Sequence, residues 1–280
     1  MPDEAAAADA QDALTQPTLP HLGYPAAAMN TIHRRAFRIH TYDTDFRGGA
    51  LPVSILNFLQ EAAGEHAALL GLSVTELMKD GLTWVLSRYH VRVSRYPVMG
   101  EAIEVRTWPS GHESFFWLRD FEISDGAGQP VLAATSSWVL LDSATKQPVR
   151  DGHGIAPELI RDTRALPDGF PRLPACEAPE RQLGFRVGLH DLDLNDHVNH
   201  AVYVRWALET VPEETLRRSR PVDIEVAYRS EAFFADEVVS RVQGVSPCGD
   251  GPTGFLHALV HKESGRELTR LRTSWAPVSS

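Results

Sequence analysis

Between Asp191 and Trp206 the chain reads Asp-Leu-Asp-Leu-Asn-Asp-His-Val-Asn-His-Ala-Val-Tyr-Val-Arg-Trp. A carboxylate, an amide and an imidazole (Asp193, Asn195 and His197) stand at alternate positions of this stretch. An extended backbone sends residues two apart to the same side, so the three side chains are expected to converge on one point. The pattern then turns helical, with Tyr203, Ala207, Thr210 and Val211 at i, i+4, i+7 and i+8. Asn199 suits the N-cap, where its side chain accepts a bond from a first-turn N–H. A polar triple beside a helix N-terminus fits acyl transfer, in which a developing oxyanion needs donors and a partial positive charge. Asp and Asn before a helix are also ordinary turn and cap residues, so spacing alone leaves a structural role open. His190, His197 and His200 beside Asp191 and Asp193 are zinc-ligand types, but their spacing matches no common site, and no metal or cofactor is expected.

The elements that must carry these groups form a unit used twice. From Phe37 a strand leads to a turn at Asp43 to Gly49, then to a helix starting near Pro52, a residue well tolerated at the first helical position. Ile55, Leu56, Leu59, Ala62, Ala63 and His66 make its apolar stripe, and Gly71 ends it. Four β-rich runs follow, Trp84 to Val93, Ala102 to Trp108, Phe115 to Ser124 and Val131 to Leu141, the last two joined by a hairpin loop at Ser124 to Gly128. A shift of 148 lays Asp43 on Asp191, Asp45 on Asp193, Ile55 on Tyr203 and Phe58 on Trp206; a shift of 135 lays Val91 on Val226; a shift of 137 lays Trp138 on Trp275. Changing offsets are expected of a duplication whose loops differ in length. One helix followed by an antiparallel sheet buries its stripe on that sheet, an α+β layering. Residues 146 to 180, with six prolines and three glycines, read as the connector, with a short helix expected at Glu158 to Ala165. The expected division is an extension at 1–32, a first unit at 33–145, the connector at 146–180 and a second unit at 181–280.

Asp-x-Asn-x-His-Val-Asn followed by a Tyr and a Trp on the helix resembles the catalytic motif of the acyl-[acyl-carrier-protein] thioesterases. The likeness runs from about Arg34 to Ala276 and includes Leu56-Asn-Phe-Leu-Gln-Glu-Ala62, Trp84-Val-Leu-Ser-Arg88 and Arg95-Tyr-Pro97. It implies a double hotdog, two tandem units each with a long helix on an antiparallel sheet. It also implies hydrolysis of fatty acyl-ACP to free fatty acid, with Asp193 and Glu231 doing nucleophile or base work and Asn195 and His197 orienting water, carboxylates or thioester. The acyl tail is then expected in the first unit, against Leu59, Ala63, Leu69 and Trp84. Plant members carry Glu followed directly by Cys where this chain has Glu231-Ala232, and neither Cys176 nor Cys248 is near an equivalent place, so a thiolate mechanism has no support. Glu231 comes just past the alternation of Ile224, Val226 and Tyr228, which reads as a half-buried strand. An acyl-CoA thioesterase with the same chemistry and a non-enzymatic acyl-binding protein are the other readings.

Composition bounds the setting. A length of 280 residues suits two domains, and 43% hydrophobic residues can fill their cores. A net charge of −10 gives no broad basic footprint, so nucleic acid is not expected as a partner. No apolar run approaches the roughly 18 residues of a membrane span. Two cysteines are too few for a disulfide framework and fit a reducing compartment. The Ala-, Pro- and Asp-rich start has no Lys or Arg before Arg34, which argues for a loose tail and against a transit peptide; a cytoplasmic protein is expected, and a homodimer is left open. Because acyl carrier proteins are acidic, local positive charge is expected at Arg88, Arg92, Arg95 and Arg217-Arg218-Ser219-Arg220.

Overall fold

The computed structural model describes residues 31–149, 154–245 and 253–278. The N-terminal extension up to residue 30 and Cys248 lie outside the described residues. The first half contains β1 (His33–Arg38), α1 (Pro52–Leu69), a short α2 (Val74–Lys79), β2 (Leu82–Val93), β3 (Ala102–Glu113), β4 (Phe116–Asp125) and β5 (Pro130–Asp142). The second contains β6 (Arg181–Arg186), α3 (His200–Glu209), a short α4 (Glu213–Arg218), β7 (Ser219–Tyr228), β8 (Glu237–Val245), β9 (Thr253–His261) and β10 (Glu267–Pro277).

All ten strands join in one antiparallel sheet of order β1-β3-β4-β5-β2-β7-β10-β9-β8-β6. Read outward from the central β2–β7 pair, the two halves repeat the same order. That pair fuses them, with Tyr89 opposite Val226 and Val91 opposite Ile224. This is the double hotdog. Duplicated positions also pack alike: Phe37 meets Phe58 at 4.8 Å between ring centroids, and Phe185 meets Trp206 at 5.4 Å. The Trp138 and Trp275 indoles each donate to a hydroxyl two residues before them, Ser136 at 2.8 Å and Thr273 at 2.9 Å.

α1 and α3 lie on one face of the sheet and touch each other. The whole α1 stripe read from sequence is buried, as are Tyr203, Ala207, Thr210 and Val211. Burying such stripes is what holds a helix of this length in place, at about 25 cal/mol per Å² of apolar area. The connector crosses the opposite face. It is tied there by Trp108 Nε1 to Thr163 O (2.8 Å), Arg164 to Asp120 (2.8 Å), the His90–Asp168 contact (2.8 Å) and Arg270 to Leu173 O (2.9 Å). This cover corrects two expectations. β7 is buried on both faces, with Glu225 and Ala227 as enclosed as Ile224 and Val226, and Glu225 is paired with Arg272. The Glu158 to Ala165 piece is a single 3-10 turn, Pro157–Leu159, because its backbone bonds outward to β3, as Arg161 N to Pro109 O at 2.9 Å shows. Among the described residues no helix is long and apolar enough to cross a membrane.

Candidate active site

The Asp193 segment is a tight loop rather than an extended run. Leu192 and Val198 pair across it, Asp193 N–H donates to His197 O at 2.8 Å, and Asp196 sits at φ 60°. The Asp193 carboxylate accepts the N–H of Asn195 at 2.8 Å, an Asx turn of the kind a short acidic side chain forms with the backbone two residues on. The convergence expected from alternation is thus produced by a turn. Asn199 caps α3 as read from sequence, its Oδ1 accepting Ala201 N–H at 2.9 Å. His200 N–H, first in the helix, has no partner in the preceding turn by the geometry of any helix start.

Glu231 lies beyond β7 in the segment leading to β8, and its Oε1 stands 3.3 Å from His197 Nδ1. The backbone around it is pinned from three sides. Ala232 O accepts Val198 N–H at 3.0 Å, Ala232 N–H donates to the Tyr203 hydroxyl at 2.9 Å, and Arg266 donates to Glu231 O at 3.0 Å. Ala232, next to Glu231, is completely buried with both backbone groups engaged. Cys176 sits in the connector, and burial pushes its thiol up, the opposite of an activated nucleophile. Burial likewise raises the Asp193 carboxyl above its ordinary value, opposed by the Asn195 N–H and by His197, and Glu231 adds to the rise. Asn195 itself is exposed at the rim.

These groups open onto a cavity of about 1030 Å³. Asp193, Asn195, His197 and Glu231 line one end, and the cavity continues into the first half between α1 and strands β2, β4 and β5. Of the four tail-binding residues read from sequence, Ala63 and Trp84 are on its wall. The other two need correction. Leu59 is fully buried in the core under α1, and Leu69 is 38% exposed; Leu70 and Leu72 face the cavity instead. A helix turns about 100° per residue, so an apolar stripe against a sheet and the wall of a cavity are neighbouring but different faces. Sequence reasoning placed Tyr203 on the motif helix without a role in the site and did not find Tyr228, Arg229 or Arg266 on the cavity wall. The first had a signal in its place on the motif helix, whereas Arg266 reaches the site through the β9–β10 turn, which local patterning does not reveal.

His190, His197 and His200 do not gather as a ligand set. His200 is turned inward, burial pulling its pKa down to about 4. Among the described residues the His/Cys/Asp/Glu group whose ligand atoms lie together is His90, Asp223 and Glu225, and arginines 92 and 272 already hold its two carboxylates. The expected basic patch is also largely spent: Arg92 pairs with Asp223, Arg95 with Glu101 and Asp125, Arg217 with Glu213, Arg218 with Glu214, and Arg220 with Asp45.

Residues 30–161 match the model of the acyl-ACP thioesterase N-terminal domain, and residues 176–277 match that of its C-terminal domain. A dodecanoyl-[acyl-carrier-protein] hydrolase of Cinnamomum camphora is 31% identical over 262 residues, covering 88% of this chain and 68% of that protein. The chain belongs to the acyl-ACP thioesterase family. An acyl-[acyl-carrier-protein] hydrolase of Cuphea viscosissima is 30% identical over 260 residues, and this chain spans 63% of its length. Among solved thioesterases of the family, the 12:0-ACP thioesterase from Umbellularia californica superposes with a TM-score of 0.78 at 26% identity, covering 89% of this chain and 95% of that one. An acyl-ACP thioesterase from Bacteroides thetaiotaomicron gives 0.78 at 24% identity, over 88% and 98%, and shares the fold.

Proposed function

We propose that this chain hydrolyses the thioester of a fatty acyl group carried on acyl carrier protein, releasing free fatty acid and ending chain elongation. The observation that carries this reading is the placing of Asp193, His197 and Glu231 at one end of a largely hydrocarbon-lined cavity that runs under α1. Asp193 is the base. A carboxylate whose proton affinity burial has raised is better matched to taking a proton near neutral pH than an exposed one. Water attacks the carbonyl carbon and gives its proton to Asp193. The oxygen that gains charge faces the N–H of His200 at the start of α3. The C–S bond then breaks, and the thiolate leaves with the proton from Asp193. Glu231 holds His197 through Nδ1, and His197 with Asn195 orients the water and the thioester. The tail lies in the first half against Ala63, Leu70, Leu72 and Trp84.

The carrier is the acyl carrier protein of the relatives' names, and the site of action is the cytoplasm. Release of free thiol, followed for one acyl group on acyl carrier protein and on coenzyme A over a series of chain lengths, tests both carrier and reaction. Faster turnover on coenzyme A would reassign the carrier, and no release from either would remove the hydrolase reading.

A further inference from the structure

The loop that holds Asp193 has a twin in the first half, bond for bond. His40 N–H donates to Asp43 at 2.9 Å as Gly188 N–H does to Asp191 at 2.9 Å. Asp45 N–H donates to Gly49 O at 2.9 Å, matching Asp193 N–H to His197 O at 2.8 Å. Arg47 N–H reaches the Asp45 carboxylate at 2.9 Å, matching Asn195 N–H on Asp193 at 2.8 Å. Thr44 pairs with Ala50 as Leu192 does with Val198, and the left-handed position is Gly48 (φ 75°) in one loop and Asp196 (φ 60°) in the other. The backbone cradle of an active site therefore exists twice, and only its side chains have diverged.

In the first half the cradle is filled from within. Arg220, on β7 of the other half, places Nη2 at 2.9 Å from both carboxylate oxygens of Asp45, and its guanidinium lies 5.0 Å over the centre of the Tyr96 ring. Tyr96 occupies the place of Glu231 under the 135-residue shift and donates its hydroxyl to Pro221 O at 2.6 Å, closing the far side. A Cβ on Gly49 would come to 2.0 Å from Arg220 Nη1, so a side chain at the position that is His197 in the active site and the seated guanidinium exclude each other. Arg47 takes what remains of the Asp45 carboxylate, through Nε at 3.0 Å and Nη2 at 2.9 Å. The same 135-residue shift puts Val85 where Arg220 stands, and Val85 is on the wall of the acyl cavity.

We propose that the first half contains a closed twin of the active site whose built-in ligand is the Arg220 guanidinium, a site specific for planar guanidinium-class cations, and that Val85 at the matching place is what leaves the active site open. One guanidinium nitrogen spans both carboxylate oxygens while the group lies over the Tyr96 ring, an arrangement that suits a flat, weakly hydrated cation better than a compact, strongly hydrated ammonium. The Val85 half of the proposal rests on the hydrolase reading; the guanidinium half does not.

The test uses the full chain. Arg220→Ala should lower Tm, and guanidinium chloride at low, non-denaturing concentration should restore it saturably, while sodium chloride at equal ionic strength and ammonium chloride should not. Wild type and the Asp45→Ala/Arg220→Ala double variant should show no such rise. An Arg220→Ala variant of unchanged Tm, or one that guanidinium cannot raise above the sodium chloride control, overturns the guanidinium site. Because this arm reads stability alone, it decides that half even for a chain inactive on every acyl carrier. If Arg220→Ala does not fold alone, guanidinium should restore its circular dichroism spectrum where sodium chloride does not, and failure to do so overturns the guanidinium site. Val85→Arg decides the other half. Its guanidinium should reach Asp193 as Arg220 reaches Asp45, removing nearly all thioester hydrolysis with the circular dichroism spectrum kept, while Val85→Leu retains far more. Activity in Val85→Arg comparable to Val85→Leu would contradict the equivalence.

Discussion

Enlarging Ala63 should shorten the preferred acyl chain. Ala63 is 5% exposed on the inner side of α1, where it, Gly64 and Ala67 form a strip of small residues along the cavity. A phenyl ring there projects into space the tail would otherwise fill. If it displaces roughly three methylenes, the lost transfer free energy is about 2.4 kcal/mol at about 0.8 kcal/mol for each. That is on the order of fifty-fold in kcat/KM for a long chain, taking about 1.4 kcal/mol per factor of ten. Chains too short to reach Ala63 should lose little, so the profile of kcat/KM against chain length tilts toward short substrates. Some stability is lost as well, since overpacking costs about 1–3 kcal/mol. The assay is thiol release from a series of acyl carriers by Ala63→Phe, with circular dichroism to show that the variant is folded. A uniform loss at every length, or an unchanged profile in a folded protein, would refute the placement of the tail along α1.

Leu59→Ala separates core from cavity: it should cost about 2–5 kcal/mol in denaturant unfolding and leave the chain-length profile in place, because Leu59 is fully buried away from the cavity wall. A thiol-alkylating reagent should leave activity largely intact in protein that stays folded, as the residue beside Glu231 is Ala232 and Cys176 lies in the connector; complete inactivation would count against the carboxylate mechanism. The acid limb of kcat/KM should lie above the ordinary carboxylate value of 3.8, since Asp193 must be ionised to act and its folded pKa is raised. By linkage the same raised pKa means that ionised Asp193 opposes folding, an effect absent below the unfolded pKa and fully present above the folded one. Asp193→Asn should therefore be inactive yet at least as stable as wild type at neutral pH by thermal melting, and a clear fall in Tm would show that the carboxylate supports the fold.

Helix starts and the duplication were legible because each rests on local chemistry. Pro52 and Asn199 mark the same point of two copies, and the offsets of 148, 135 and 137 carried over into equivalent loops and equivalent Trp–hydroxyl bonds. The shape of the Asp193 loop was misread because alternation was taken for extension. The Asp and Asn content of Asp-Leu-Asn-Asp was itself the turn signal, and the carboxylate-to-amide bond at Asn195 decided it. Burial of β7 on both faces needed the path of the connector, which no periodicity in β7 contains. The arginine clusters were visible, but their partners were not: Asp45 is 175 residues from Arg220, and Asp223 is 131 from Arg92. Net charge and runs of like residues say nothing about pairings at that distance in sequence. Among the tail-binding residues, the helical phase located α1 correctly and still exchanged Leu59 and Leu69 for Leu70 and Leu72, because a hydrophobic residue looks the same on either side of a core wall.

The central claim is that each chain has one catalytic site, built by the second half around Asp193 and Glu231, while the Asp45 cradle is shut. The most direct measurement is the rate of thiol release from one acyl-ACP by Asp193→Ala, Glu231→Ala and Asp45→Ala, each shown by circular dichroism to be folded at the assay temperature. Losing general-base help costs about 10²–10⁴ in rate, so the first two should fall by orders of magnitude. Asp45→Ala should keep most of its activity, because its carboxylate is fully taken up by Arg47 and Arg220. Equal losses from Asp45→Ala and Asp193→Ala would contradict the one-site account.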